Sequence, residues 1–321
     1  MWIALGSFSG LTLGLTDVAS KFASRHLGAI SVLLVSNIIG CVCIVAWTVG
    51  VRVSTNGAFF PSTMADVAPQ ALMLWDVFVT SVPKNILMIG SLYAMYLSLP
   101  GIPMSYAGAI RASGPIWTLL GAWILTGEVL TTLELICIIA SIIVYVIYGR
   151  LGRAEGMTRS SLMPILGMVV ATLSSSLVTA YDKYLAVRFG IGAFDAIQIS
   201  SAFQRVGFAA ILFMLVGGRL SISKAIVFNG AAWAFAEYCY FYSYSSADAK
   251  ATILAVLRRL SLVSGLAGGA IVFGEKRILI KASLCAALIA ISAVMITWPD
   301  IEPMEFISRF FAPTGDRASS V

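Results

Sequence analysis

A chain of 321 residues that is 59% hydrophobic and only 11% charged, with a mean hydropathy of +0.94, lies far from the roughly 45–50% apolar and 25% charged make-up of a water-soluble domain. Its net charge of +6 does not point to nucleic acid, because Lys and Arg fall singly or in pairs between apolar runs instead of clustering on one face. The single histidine, His26, excludes zinc clusters and Ser-His-Asp chemistry, and the five cysteines sit inside apolar segments without metal-ligand spacing, so neither a metal nor a cofactor is expected.

Each crossing of a bilayer needs roughly 20 apolar residues, and segments of that kind follow one another along the chain. Trp2 to Ser20 has no basic leader region and no small-residue cleavage site, and reads as a first span, not a signal peptide. Asp17 and Lys21 stand at its end. Ala29 to Val51 is the second span, followed by loop chemistry in Ser54, Thr55, Asn56, Gly57, Pro61 and Pro69, with room for a brief surface helix. Trp75 to Leu99 carries Lys84, Tyr93 and Tyr96, Pro103 to Thr126 carries Arg111, and Thr132 to Tyr148 completes the first half. After the polar stretch Gly149 to Ser160 come Leu162 to Val187 with Asp182 and Lys183, Phe194 to Val216, Lys224 to Tyr244 with Glu237 and Tyr240, Ala249 to Phe273 with Arg258, and Leu279 to Trp298. A polar tail, Pro299 to Val321, closes the chain.

Lipid cannot satisfy backbone polar groups, and these runs are too long and too little alternating for barrel strands. The expectation is an all-α membrane protein of about ten transmembrane helices. Residues 1–148 form a first five-helix repeat, 149–160 a linker, 161–298 a second repeat and 299–321 the tail.

The repeat is read from an ungapped match of the fourth and fifth spans to the ninth and tenth. Gly127-Glu128 falls on Gly274-Glu275, an offset of 275 − 128 = 147, and Arg111 then falls on Arg258, Gly121 on Gly268 and Tyr93 on Tyr240. Lys21-Phe22 followed by Arg25 has its like in Lys183-Tyr184 followed by Arg188. An odd number of spans per half makes the second half enter from the opposite side, the inverted-repeat construction of many secondary transporters, with the site near the midplane.

On the stretch Ala109-Ile110-Arg111-Ala112-Ser113-Gly114-Pro115 leading to Leu125-Thr126-Gly127-Glu128, and on Leu257-Arg258-Arg259-Leu260-Ser261 leading to Val272-Phe273-Gly274-Glu275, the chain resembles the drug/metabolite transporter superfamily in its ten-helix, EamA-like branch. That resemblance implies a pseudo-twofold bundle around a central cavity lined by the first four helices of each half, with the fifth and tenth as scaffold, and transport by alternating access. The pair Arg258-Arg259 is similar to a basic pair in the ninth helix of related sugar-phosphate carriers, which implies an anionic group on the solute.

Arg111 and Arg258 each lie about eight residues into an apolar segment, where a lipid-facing charge costs roughly 2.5–3.5 kcal/mol or more. Each should face protein or a wet cavity, as a cationic wall for a carboxylate or phosphate or else as a bundle salt bridge or a snorkelling side chain. On unbroken helices Arg111 shares a face with Ala107, Pro115 and Thr118, and Arg258 with Leu254, Ser261 and Gly265. Lys84 and Glu237 are the other candidate substrate-binding charges. Glu237 shares a face with Trp233, Phe241 and Tyr244, which suits coupling, amine binding, or an ion pair with an arginine or Lys84. Tyr96 and Tyr240 are candidate cavity residues. Asp17, Lys21, Asp182 and Lys183 are candidates for gating or coupling, with a headgroup location as the bland alternative. Gly127 and Gly274 should end helices in the left-handed conformation, with Glu128 and Glu275 starting the next ones.

The expected function is secondary active transport of a small polar metabolite bearing an anionic group, in a bacterial inner (plasma) membrane. The expected partners are that solute and the lipid bilayer, with a coupling proton or counter-solute and a second copy as a homodimer also allowed; nucleic acid is not a partner. No Walker motif supplies ATP chemistry. The alternatives are a non-transporting receptor or assembly subunit on the same fold and, less favoured, an intramembrane enzyme, for which Tyr181-Asp182 supplies half of an aspartyl protease signature without its second Asp. Lys and Arg are in excess beside the first, fifth, seventh and ninth junctions, which places the termini outside; the resemblance implies cytoplasmic termini, and both orientations stand.

Overall fold

Apolar stretches of this length close their backbone hydrogen bonds internally as helices. In the computed structural model they do so throughout the described residues, which are 2–54, 64–111, 113–127, 131–153, 162–246, 249–274 and 278–297. The elements are α1 (Trp2–Leu27), α2 (Ala29–Ser54), α3 (Met64–Ser98), α4 (Met104–Arg111), α5 (Gly114–Thr126), α6 (Thr132–Arg153), α7 (Leu162–Phe189), α8 (Phe194–Val216), α9 (Lys224–Ser243), α10 (Ala251–Leu257), α11 (Ser261–Phe273) and α12 (Ile278–Thr297), with no strand among the described residues.

Among the described residues six helical segments, 2–27, 29–50, 73–101, 162–189, 191–216 and 253–273, are long and apolar enough to cross a membrane. Side-chain placement agrees. Ile271, Leu279, Leu215, Met214 and Trp123 stand exposed on the outside, whereas Asp17, Lys21, Lys84, Asp182, Arg205 and Glu237 are buried. Such a polarity, apolar outside and charged inside, suits lipid and not water as the solvent, and the chain is an integral membrane protein of the multi-pass kind.

Several boundaries differ from the sequence reading. Helix α1 runs past Ser20 to Leu27, α3 starts at Met64 so that Pro69 is helical and not in a loop, and α6 takes up Gly149 to Arg153 of the expected linker. A helix need not stop where the hydrocarbon ends, since its hydrogen bonds are internal in either solvent. The rest of the linker, Thr55 to Thr63 of the loop, the tail, Glu128 and Glu275 lie outside the described residues.

The larger correction concerns the fourth and ninth segments, neither of which is an unbroken α-helix: the fourth is divided in two, and the ninth tightens midway while remaining helical. Pro115, near the start of α5, cannot donate to the carbonyl of Arg111, and α4 ends there. In the ninth segment α10 gives way to a 3-10 turn, Arg258–Leu260, before α11. Of the faces expected from unbroken helical spacing, Ala107 with Arg111 and Leu254 with Arg258 remain on continuous helix, whereas Pro115, Thr118, Ser261 and Gly265 lie beyond the interruptions. Gly127 and Gly274, at φ 66° and 63°, end α5 and α11 as expected, in a conformation that glycine adopts without a Cβ clash.

Helix α1 packs on α9 and α11, and α7 on α3 and α5; α2 lies against α8 and α9, α8 against α3, α10 against α5, and α12 against α6. Close approach of α1 to the ninth segment depends on Gly6, Gly10 and Gly14, four residues apart on one face. A Cβ on Gly10 would lie 2.5 Å from the Leu257 carbonyl oxygen and 3.0 Å from the Arg258 Cα, and one on Gly14 would strike Ser261 and Ser264. Helix α3 contains Pro83, and its nearby carbonyls are met by neighbouring helices: Gln204 Nε2 donates to Phe78 O at 2.6 Å and the Tyr181 hydroxyl to Thr80 O at 2.9 Å. These bonds hold α3 against α7 and α8 immediately before Lys84.

Candidate functional site

Where α1, α3, α7, α9 and the fourth and ninth segments meet, they leave a cavity of about 70 Å³ lined by both polar and apolar side chains. Its charged wall is made by Asp17, Arg111, Asp182, Glu237, Arg258 and Arg259. A smaller pocket between α4 and α11 shares Asp17, Arg111 and Arg259 with it, so these three side chains stand between the two spaces.

Among the described residues three ion pairs organise the wall, each joining two different elements, at separations of 21 to 98 positions. Arg111, at the end of α4, pairs with Asp17 of α1. Lys84 of α3 pairs with Asp182 of α7, both almost fully buried. Arg258, in the 3-10 turn, donates through Nη2 to Glu237 Oε1 of α9 at 2.6 Å and lies 4.1 Å from the centre of the Tyr240 ring. Buried pairs of this kind contribute little net stability, but removing one partner is costly.

The candidate residues thus fall into groups. Arg258, Arg111, Glu237, Tyr96, Asp17 and Asp182 line the cavity. The Tyr96 hydroxyl accepts from Asn229 Nδ2 at 3.2 Å, and Asn229 Oδ1 accepts from Ser20 at 2.9 Å, so one side of the cavity is a neutral hydrogen-bonding network. Lys84 and Tyr240 stand one layer behind the wall: Lys84 through Asp182, and Tyr240 beneath Arg258 with its hydroxyl on Thr179 O at 3.3 Å and Tyr244 at 2.6 Å. Lys21 and Lys183 lie away from the cavity. Lys21 donates to the Ile102 carbonyl at 2.8 Å and Lys183 to the Ala249 carbonyl, each beside an aromatic ring, Phe273 and Tyr244 respectively. Asp17, Lys21 and Asp182 are buried, so the headgroup location does not apply to them, and the acids pair with Arg111 and Lys84 instead of with the neighbouring lysines.

Arg205 on α8 was not singled out from the sequence. It is 1% exposed, its guanidinium carbon lies 4.2 Å from the centre of the Trp233 ring, and its Nε and Nη2 have no hydrogen-bond partner. Among the described residues no carboxylate comes within ion-pair distance of it. A signal was available, since Gln204-Arg205 is a polar pair in the middle of an apolar run. Arg259 lies against Gly114 at the start of α5, where a Cβ would strike its guanidinium. Among the described residues no three His, Cys, Asp or Glu side chains form a cluster that could hold a metal ion.

No family model matches the chain, and no curated protein does. One solved structure, described only as the crystal structure of a protein, is similar with a TM-score of 0.61 at 14% sequence identity, over 91% of this chain and 96% of the other. At that identity the likeness shows a shared fold alone.

Proposed function

We propose that this protein is a secondary active transporter of a small metabolite bearing an anionic group. It works by alternating access through the cavity between two inverted five-helix repeats, ten spans in all, and belongs to the EamA-like branch of the drug/metabolite transporter superfamily, in a bacterial inner membrane. The observation that carries the reading is the charge balance of the site. Among the described residues, the cations Lys84, Arg111, Arg205 and Arg258 stand at or directly behind the cavity wall against three carboxylates, Asp17, Asp182 and Glu237, each already paired, while Arg205 has no carboxylate within ion-pair distance. A surplus of buried positive charge is expensive in a low-dielectric interior, and an anionic solute relieves it.

The reciprocal features of the two halves support the repeat. In both segments the α-helix ends at or just before the matched arginine, α4 at Arg111 and α10 at Leu257 with Arg258 opening the 3-10 turn. Lys21 and Lys183 hold the carbonyls of Ile102 and Ala249, which are 249 − 102 = 147 residues apart, the same offset as the arginines. Gly28 and Gly190, after α1 and α7, both turn with positive φ. Helix α1 rests on α9 and α11 as α7 rests on α3 and α5. Interrupted helices lining a midplane site are a recurring transporter device.

The test is flux into liposomes containing the purified protein. Saturable uptake of small organic anions, absent from protein-free vesicles and from Arg258→Ala, is expected. Inertness towards a broad panel of organic anions, with cations or neutral solutes carried instead, overturns the reading.

A further inference from the structure

Helix α1 carries Asp17, Lys21 and Arg25 four residues apart, so the three charges share one face. That face closes on the fourth segment and on α11. Asp17 pairs with Arg111 at the end of α4, and Lys21 donates to the Ile102 carbonyl, just before α4, at 2.8 Å. Lys21 and Arg25 both lie over the ring of Phe273, the last residue of α11, at 4.8 and 5.0 Å from its centre.

Beside these contacts runs the smaller pocket. Leu99 and Met104, which bracket the connection from α3 to α4, form one side of it with Gly108, and Leu262 and Gly265 of α11 form the other. Asp17 and Arg111 line this pocket and the central cavity alike, so their ion pair stands where the two spaces meet. Helix α1 and the ninth segment run side by side in the same direction, with Gly6 against Leu254, Gly14 against Ser261, Val18 against Gly268 and Lys21 against Phe273. The pocket therefore leads from the cavity towards the membrane face at which α1 and α11 end and α4 begins. At about 20 Å³ against about 70 Å³, it is the narrower of the two spaces.

Resting on the transport reading above, we propose that this pocket is the route between the central cavity and that membrane face, with the Asp17–Arg111 pair as the barrier within it. A buried pair contributes little net stability, so its two partners part at small cost once another ion takes one of them. An anion that engages Arg111 releases Asp17, and the solute thereby undoes the contact that confines it. Lys21 and Arg25 on Phe273 form the outer closure of the same route.

Gly265 supplies the test, because a Cβ there meets nothing within 4 Å and a larger side chain enters the pocket without displacing a neighbour. Ser175 lines the cavity, and Ser175→Cys places a thiol in it. In liposomes holding the full chain in one orientation, the face where α1 ends is exposed to sulfonatoethyl or trimethylammonioethyl methanethiosulfonate, membrane-impermeant thiol reagents of opposite charge, and labelling at position 175 is read by peptide mass. Adding Asp17→Asn should speed modification by both reagents at least about tenfold, the loss of one charge-assisted bond. Arg111→Gln, which removes the other partner, should do the same and serves if the first variant misfolds. Adding Gly265→Leu should take the gain away.

Acceleration of one reagent alone is a change of local charge and overturns the barrier. Acceleration that survives Gly265→Leu overturns the route, and no acceleration in either variant overturns both. None of these rates depends on the solute: a chain inert towards every organic anion that still obeys them loses the transport reading and keeps the route. In a chain that does carry anions, Gly265→Leu alone should lose flux while the rise in unfolding midpoint given by the same anion persists; full flux in that variant overturns the proposal.

Discussion

The guanidinium of Arg205 lies 4.2 Å from the centre of the Trp233 ring, and Trp233 lines the cavity while Arg205 does not. The charge therefore stands behind the face of an indole, an arrangement that attracts cations electrostatically but leaves the Nε and Nη2 donors without a partner. A buried guanidinium with two donors unpaired and no carboxylate at ion-pair distance is a cost to the fold, and its retention is explained if it acts on the solute.

Arg205→Met should separate those two effects. Replacing an incompletely paired buried charge with an apolar chain of similar volume should leave stability unchanged or raise it by about 1 kcal/mol or more. Anion uptake should fall at least about tenfold, the loss of roughly one charge interaction. Unfolding midpoints and liposome flux measured on the same preparations check both signs; a variant that is less stable yet fully active contradicts the assignment.

Lys84 and Asp182 are 3% and 1% exposed, so each depends on the other. Lys84→Met should destabilise by about 3–5 kcal/mol, because it strands a carboxylate in the interior. The double variant Lys84→Met, Asp182→Leu should recover most of that loss. A double-mutant cycle in chemical denaturant reads the coupling, and additive single effects would count against a shared pair.

Glu237 Oε1 accepts from Arg258 Nη2 at 2.6 Å. On the proposed reading an arriving anion competes with that carboxylate, so Glu237→Gln should tighten anion binding by about tenfold, the equivalent of about 1.4 kcal/mol, and slow release. Equilibrium affinity and the rate of exchange across the liposome membrane should move in opposite directions; weaker binding in the variant excludes the competition.

Gly10 has no room for a side chain beside Leu257 and Arg258. Gly10→Val should cost about 1–3 kcal/mol by overpacking and displace the 3-10 turn that aims Arg258. Gly50, where a Cβ meets nothing, is the control: Gly50→Ala should leave flux unaltered. Loss of flux in both variants would remove the link to the turn.

Much of the architecture is written locally. Apolar runs of span length lead to helices in any order of assembly, because a helix closes its own hydrogen bonds, and Gly127 and Gly274 end theirs through a conformation only glycine takes easily. The candidate charges Arg111, Arg258, Glu237, Asp17 and Asp182 could be picked out because an ionisable residue deep in an apolar run has few other reasons to be there. Arg205 obeys the same rule and was passed over. The glycine spacing of α1 was equally open to view, but its meaning depended on which helix lies against it.

Sequence by itself settled the solvent, the helical class and the depth of the charges, all properties that a segment carries with it wherever it packs. Only the tertiary structure decided the partners: that Asp17 meets Arg111 and not Lys21, that Asp182 meets Lys84, that Arg258 turns to Glu237, and that the ninth segment tightens to a 3-10 turn without a proline where it rests on the glycines of α1. Ion pairing acts over a few ångströms between residues 21 to 98 positions apart, so it is set by which helix faces come together, and no local pattern along the chain encodes that.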